Sequence, residues 1–185
     1  MLDRRRAEGL AFLAGFALCI PAANWLIGNV GTRCVPDGPC LMPVGFGVMA
    51  PSGVVMIGLA LVLRDLVQRR LGVGWAAGAV VAGAALSASL APPALVIASG
   101  VAFLLAEMAD LAVYTPLQRR GLVGAVVASS IVGLVIDSIV FLQLAFGSLD
   151  YLAGQIIGKA WMVAAAIPFV VWLRRRDARL GLEPA

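Results

Sequence analysis

The chain has 185 residues, 62% of them hydrophobic and only 13% charged, with a mean hydropathy of +0.99. Soluble domains run near 45–50% apolar and about 25% charged, so these figures mark an integral membrane protein and exclude a disordered chain, a nucleic-acid-binding domain and a secreted disulfide scaffold. A net charge of +4 invites an anionic partner, but the placement of the arginines gives it another origin, and a single membrane domain over residues 1–185 is expected.

A helix needs about 20 apolar residues to cross the hydrocarbon core. Six stretches qualify in chain order: Glu8–Asn29, Val44–Leu63, Val73–Ala91, Ala94–Leu117, Leu122–Phe146 and Tyr151–Leu173. The fold class expected is therefore all-α and polytopic. The first stretch is not a cleavable signal, because its apolar run is long and no small-x-small site follows before Asn29. The second is the least regular, with Gly45, Gly47, Pro51, Gly53 and Gly58. It has room for a non-helical turn, which lipid tolerates only where it is buried or lines a cavity. Breakers separate the spans: Pro36 to Pro39, Arg69-Arg70-Leu71-Gly72, Pro92-Pro93, Arg119-Arg120-Gly121 and Gly147 to Asp150. The connections are short, so consecutive helices are antiparallel neighbours.

Twelve arginines fall on one side of the six-span arrangement: Arg4, Arg5, Arg6, Arg64, Arg69, Arg70, Arg119, Arg120, Arg174, Arg175, Arg176 and Arg179. Arg33 is alone on the other side, and Lys159 falls inside a span. Basic loops stay in the cytoplasm, so both termini are expected there, in the inner (plasma) membrane, and no nucleic acid is needed to explain the charge. Cys34 and Cys40 share the first outer loop, where a disulfide and two free thiols both remain open. Two thiols without histidine do not supply a tetrahedral metal site. Ala7, Ala11 and Gly15, four apart, suit a contact with a partner helix or a second copy.

Ionisable groups within spans cost about 2.5–3.5 kcal/mol each at a helix centre and usually face the bundle interior. Glu107, Asp110, Asp137 and Lys159 are such groups, joined by the uncharged Asn24, Gln143 and Gln155. Helical spacing gathers them into stripes: Ser99, Phe103, Glu107, Asp110 and Tyr114 on the fourth span, Ser130, Gly133, Asp137 and Phe141 on the fifth, Tyr151, Gln155, Lys159 and Met162 on the sixth, and Ala17, Pro21, Asn24 and Gly28 on the first. A polar pocket from mid-membrane to the outer face would collect Glu107, Asp137, Lys159 and Asn24. Trp25 and Trp161 lie at similar depth, to stack on a planar ligand or to face lipid.

Plainer structural roles stand beside these. Asp137 and Lys159 make a helix-locking ion pair, Asp110 reaches Arg119 or Arg120, and Arg64, Arg69 and Arg70 snorkel at the interface with Asp65 paired to Arg69 at i,i+4. Glu107 has no cation on its own helix, so it is expected to be protonated or paired with ligand. No nucleotide-binding G-x-x-x-x-G-K-[ST], no histidine and no G-x-S-x-G occurs. An intrinsic ATPase, a His-based metalloprotease and a serine hydrolase thus lack their reagents, and neither a catalytic residue nor a cofactor is expected.

Several segments together resemble one family. They are Pro51-Ser52-Gly53 with Gly58 to Gln68, Ala106-Glu107-Met108-Ala109-Asp110 through Leu117, Ser129-Ser130 with Gly133 and Asp137-Ser138-Ile139-Val140-Phe141, and Gly154-Gln155 with Gly158-Lys159. The resemblance, covering roughly Asn24 to Arg174, is to the queuosine-precursor transporters, a vitamin-uptake-transporter-like family. The Cys34–Cys40 loop and Ser52, where alanine is expected, depart from it. The resemblance implies a six-helix bundle similar to the substrate-binding components of energy-coupling-factor transporters. It also implies uptake of 7-cyano- or 7-aminomethyl-7-deazaguanine, or of queuine. Such a base is planar and presents a ring N–H beside an exocyclic amine. A carboxylate from Glu107 or Asp137 can accept both, Lys159, Gln155 and Asn24 can donate to the ring carbonyl, and an aromatic face such as Phe103 or Trp25 can stack on the ring. Asp110 completes the expected site. Alternatives are a binding subunit that needs a shared membrane partner with ATPases and, from another class, a membrane enzyme or assembly factor using Glu107 and Asp110.

Overall fold

Six helices and a small sheet make up the computed structural model, which describes residues 2–34, 39–91 and 95–182. In chain order these are α1 (Leu2–Asn29), β1 (Arg33–Cys34), β2 (Cys40–Gly45), β3 (Val48–Pro51), α2 (Val54–Leu71), α3 (Val73–Leu90), α4 (Val96–Leu117), α5 (Leu122–Phe146) and α6 (Leu152–Leu180). The breakers at Pro36 to Gly38 and Pro92-Pro93, and the expected start of the fourth span at Ala94, lie outside the described residues.

The bundle is apolar outside and charged inside. Leu18, Trp25, Val81, Ile97, Ile131, Trp161 and Trp172 are exposed, whereas Arg64, Asp65, Glu107, Asp110 and Lys159 are buried. Water would favour the reverse; a hydrocarbon surround favours this arrangement. Five helices, α1, α3, α4, α5 and α6, are long and apolar enough to cross a membrane. The protein is thus a multi-pass helical membrane protein. The remaining helix, α2, carries four charged residues, all buried, and it packs against all five others, which shield it.

The second expected span is placed differently. Residues 40–51 are not helical: β2 and β3 form an antiparallel hairpin with Leu41 opposite Pro51 and Met42 opposite Ala50. Gly45, Phe46 and Gly47 all have positive φ (103°, 53° and 74°), which reverses the chain in a tight hairpin turn. Val44 and Ala50, read as part of a helix, are instead buried from the sheet, as are Cys40 and Leu41 ahead of them. Strand β1 adds to the other edge of β2, with Cys34 opposite Cys40, and those two cysteines are joined by a disulfide. Helix α2 consequently begins ten residues later than expected and runs through the expected Arg69–Gly72 break, leaving only Gly72 as its C-cap. Arg64 moves from a helix end to a helix middle.

Helices α2 and α6 approach closely through small residues. A Cβ on Gly58 would lie 2.5 Å from the Lys159 carbonyl oxygen, and one on Gly158 would lie 2.5 Å from Val54 Cγ2. Lipid gives apolar side chains no reason to collapse on each other, so close backbone contact is how such helices gain packing. Gly15 of α1 packs on Leu63 in the same way, while Ala7 and Ala11 stay on the exposed surface.

At the end of the bundle opposite the sheet, Asp177 of α6 holds α2. Arg69 Nε donates to it at 2.8 Å, and Arg70 donates from Nη1 and Nη2 at 3.0 and 2.7 Å. Glu8 of α1 accepts from Arg70 Nε at 3.0 Å and from Arg176 Nη2 at 2.5 Å. Arg5 Nε donates at 3.2 Å to the Arg70 carbonyl, one of the free carbonyls that end α2. These arginines are therefore paired, not snorkelling, and Arg69 reaches Asp177 rather than Asp65. The reason is the longer α2, which carries both arginines against α6. Burial acts to raise the Asp177 carboxyl, but hydrogen bonds from Arg70 and Arg69 outweigh it and hold the group below its ordinary value. A carboxylate with a lowered folded pKa contributes stability fully above its unfolded value, near 3.8, and loses it as pH falls through the folded value. Asp177→Asn is expected to lower the melting temperature in detergent at pH 7, with the gap to wild type closing only in strong acid. An equal gap at pH 7 and in strong acid would contradict this.

Candidate functional site

At the sheet end of the bundle lies an open cavity of about 520 Å³, its mouth included. Each helix contributes to its wall: Ala23, Asn24 and Ile27 from α1, Val54 and Ile57 from α2, Ser87 from α3, Ser99 and Phe103 from α4, Asp137 and Phe141 from α5, and Gln155 and Lys159 from α6. Pro51 of β3 and the adjoining Gly53 complete it. The hairpin thus supplies part of the site, and its irregular backbone lines a cavity, as lipid requires.

Lys159 organises the polar floor. Its ammonium donates to Asp137 Oδ2 at 2.5 Å, Gln155 Oε1 at 2.6 Å and Ser138 Oγ at 2.8 Å. All three of its donors are therefore engaged, and the side chain is 1% exposed. The positions are local consequences of helical spacing: Gln155 and Lys159 are i,i+4 on α6, and Asp137 and Ser138 are adjacent on α5. Asp137 Oδ2 and Gln155 Oε1 are thus held by one ammonium, and both residues line the cavity. The other polar atom of each is an acceptor on Asp137 and a donor on Gln155. Asn24 donates through Nδ2 to the Ile20 carbonyl at 3.0 Å, which orients its side chain. Phe103 is 3% exposed and backed by Phe16, with ring centroids 5.9 Å apart.

Five of the eight expected residues meet here: Asn24, Phe103, Asp137, Gln155 and Lys159. Three do not line the cavity. Trp25 is 60% exposed on the outer surface of α1, because one residue along a helix from Asn24 turns the side chain about 100° away. Trp161 is also largely exposed and spends its Nε1–H on the Val44 carbonyl at 2.8 Å. Glu107 and Asp110 sit deeper, around Arg64. Glu107 is not unpaired: Arg64 Nε donates to its Oε2 at 3.1 Å. Asp110 pairs with Arg64 too, and not with Arg119 or Arg120. The cation comes from another helix, which a search along the glutamate's own helix does not find. Arg64 and Asp65 are the polar residues that the sequence reading misplaced. The available signal was charge balance, since three intramembrane acids on two spans faced a single intramembrane lysine. Ser87 and Ser138 carried no signal of their own.

The fold and the cavity define a class: a multi-pass helical membrane protein with one polar pocket opening at one end of the bundle. Residues 88–173 match the family described as "Putative vitamin uptake transporter". The matched stretch takes in α4, α5 and most of α6, and with them Ser99, Phe103, Asp137, Gln155 and Lys159. The match supports a transporter of the vitamin-uptake type. Neither a curated protein nor a solved structure matches the chain.

Proposed function

We propose that the protein imports a queuosine precursor across the inner membrane, binding 7-cyano- or 7-aminomethyl-7-deazaguanine, or queuine, in the sheet-end cavity. The observation that carries this reading is the Asp137–Lys159–Gln155 network lining one cavity together with Phe103. A 7-deazaguanine offers a ring N–H and amine to an acceptor, a ring carbonyl to a donor, and two π-faces to aromatic walls. Asp137, rather than Glu107, supplies the recognition carboxylate, because Glu107 is engaged by Arg64 and lies off the cavity wall. Asn24, Ser87 and Ser99 complete the polar contacts, and Phe141 adds a second apolar wall.

The one-sided arginines support cytoplasmic termini, with the mouth of the cavity on the outer face. A reporter fused to the C-terminus and found outside would overturn that orientation. Exposed Ala7 and Ala11 on α1 leave a small-residue surface for a second copy or for subunits of an energy-coupling-factor type. Uptake by cells carrying this gene alone, compared with cells that also carry such partners, separates solitary transport from partnered transport.

The deciding experiment is binding by the purified protein across a panel of deazaguanines, guanine and vitamins. Deazaguanines are expected to bind, and Gln155→Leu to weaken them by about 1–3 kcal/mol, the scale of a buried donor removed. Binding of a vitamin from the panel with none of the deazaguanines would replace this reading.

A further inference from the structure

Below the cavity, three carboxyl groups converge on one guanidinium. Arg64 Nε holds Glu107 Oε2 at 3.1 Å, and Nη2 approaches Asp65 Oδ1 at 2.9 Å and also holds Asp110 Oδ1. Ser129 Oγ donates to the other oxygen of Asp65 at 2.8 Å. All four charged side chains are at most 2% exposed. If every carboxyl were ionised, the cluster would carry two uncompensated negative charges at the centre of the bundle. Two of the acids also crowd a single nitrogen, and like charges sharing one site do not both ionise readily.

The cluster is incompletely bonded as well. Arg64 Nη1, Asp110 Oδ2, Ser130 Oγ and Tyr114 Oη are buried without a hydrogen-bond partner. Arg64 Cζ lies 5.8 Å from the centre of the Tyr114 ring. A metal ion does not fit, because the guanidinium occupies the point where the acids converge, and no metal-holding group is found among the described residues. A proton on a carboxyl oxygen such as Asp110 Oδ2 would remove one of the excess charges.

We infer that Asp65, Glu107 and Asp110 around Arg64 form a proton-binding site that couples substrate import to a proton gradient. The coupling rests on the transport reading above; the proton site does not. The charged or titratable groups near it are Arg69 further along α2, Tyr114 on α4, Asp137 on α5, Lys159 on α6 and Cys19 on α1. Contact with the cavity is short. Glu107 lies one turn below Phe103 on α4. Gly133 lies one turn below Asp137 on α5, and a Cβ there would meet Asp110 Oδ2 at 3.1 Å. A ligand that draws Asp137 from Lys159 shifts both charge and helix position next to the protonated acids. The proton then leaves a carboxyl oxygen as H⁺ toward the cytoplasmic side, restoring the carboxylate.

Two measurements test this on the purified full-length protein. Infrared spectroscopy at neutral pH should show the carbonyl stretch of a protonated carboxylic acid, sensitive to H₂O/D₂O exchange and altered in both Asp110→Asn and Glu107→Gln. A wild-type spectrum without that band overturns the proton site, whether or not any substrate binds. In proteoliposomes, a gradient of one pH unit, acid on the side of the cavity mouth, should drive 7-cyano-7-deazaguanine to about tenfold accumulation per coupled proton. Asp110→Asn should still bind the base but lose gradient-driven accumulation. Equal uptake with and without the gradient overturns coupling, while failure of every deazaguanine to bind overturns the substrate reading and leaves the infrared result to decide the site.

Discussion

Lys159→Met is expected to abolish uptake and to destabilise the protein by about 3–5 kcal/mol, the usual cost of stranding one member of a buried ion pair. The lysine serves three acceptors from a position 1% exposed to solvent. Methionine fills a similar volume but leaves Asp137 without its cation and frees Gln155 and Ser138 to rotate. Asp137→Asn alone should also abolish uptake, since it changes the acceptor that faces the cavity. The double variant Asp137→Asn/Lys159→Met removes both charges and should regain much of the lost stability. It should not regain uptake if both groups also serve the ligand. Melting temperature and uptake measured on all three variants separate the outcomes, and recovery of uptake in the double variant would reduce the pair to a structural lock between α5 and α6.

Arg64→Met should have a comparable or larger effect on folding. It leaves Asp65, Glu107 and Asp110 without a counter-charge in the most enclosed part of the bundle, and α2 touches every other helix. A loss of at least about 3 kcal/mol is expected, seen as a low yield of folded protein or an early melting transition in detergent. Arg64→Lys keeps the charge but not the planar fork that reaches Glu107 through Nε and the two aspartates through Nη2, so it should recover only part of the loss. Adding Asp110→Asn to Arg64→Met should recover more than Lys does, because it removes one of the stranded acids. An Arg64→Met protein as stable as wild type would show that the acids are neutral without the guanidinium.

The two layers differ in how readable they were. The Asp137–Lys159 pair was legible because each residue lies on a helix whose boundaries the apolar run defines well. Spacing fixed their faces, and the loop at Gly147 to Asp150 fixed their relative depth. Asn24, Phe103 and Gln155 followed for the same reason. The Arg64 cluster was not legible, because it depended on where α2 begins. Residues 44–53 are apolar enough to be read as helix, and hydropathy does not distinguish a buried hairpin from a buried helix. The glycines at 45 and 47 were the warning, and the positive φ at Phe46 between them completes the turn. Once the hairpin is formed, α2 slides ten residues along the chain and its arginines become interior groups.

The sequence by itself determined that the chain is a multi-pass membrane protein and which faces of α1, α4, α5 and α6 are polar. These properties follow from hydropathy, arginine placement and a period of 3.6 residues, all of which are local. Only the tertiary structure decided which charges meet. Arg64 finds Glu107 and Asp110 43 and 46 residues away, and Arg70 finds Asp177 at a separation of 107. An ion pair's partner depends on helix depth and rotation together. Where one helix carries Arg64, Asp65, Arg69 and Arg70 into the interior, a shift of that helix along its axis reassigns each pair it makes.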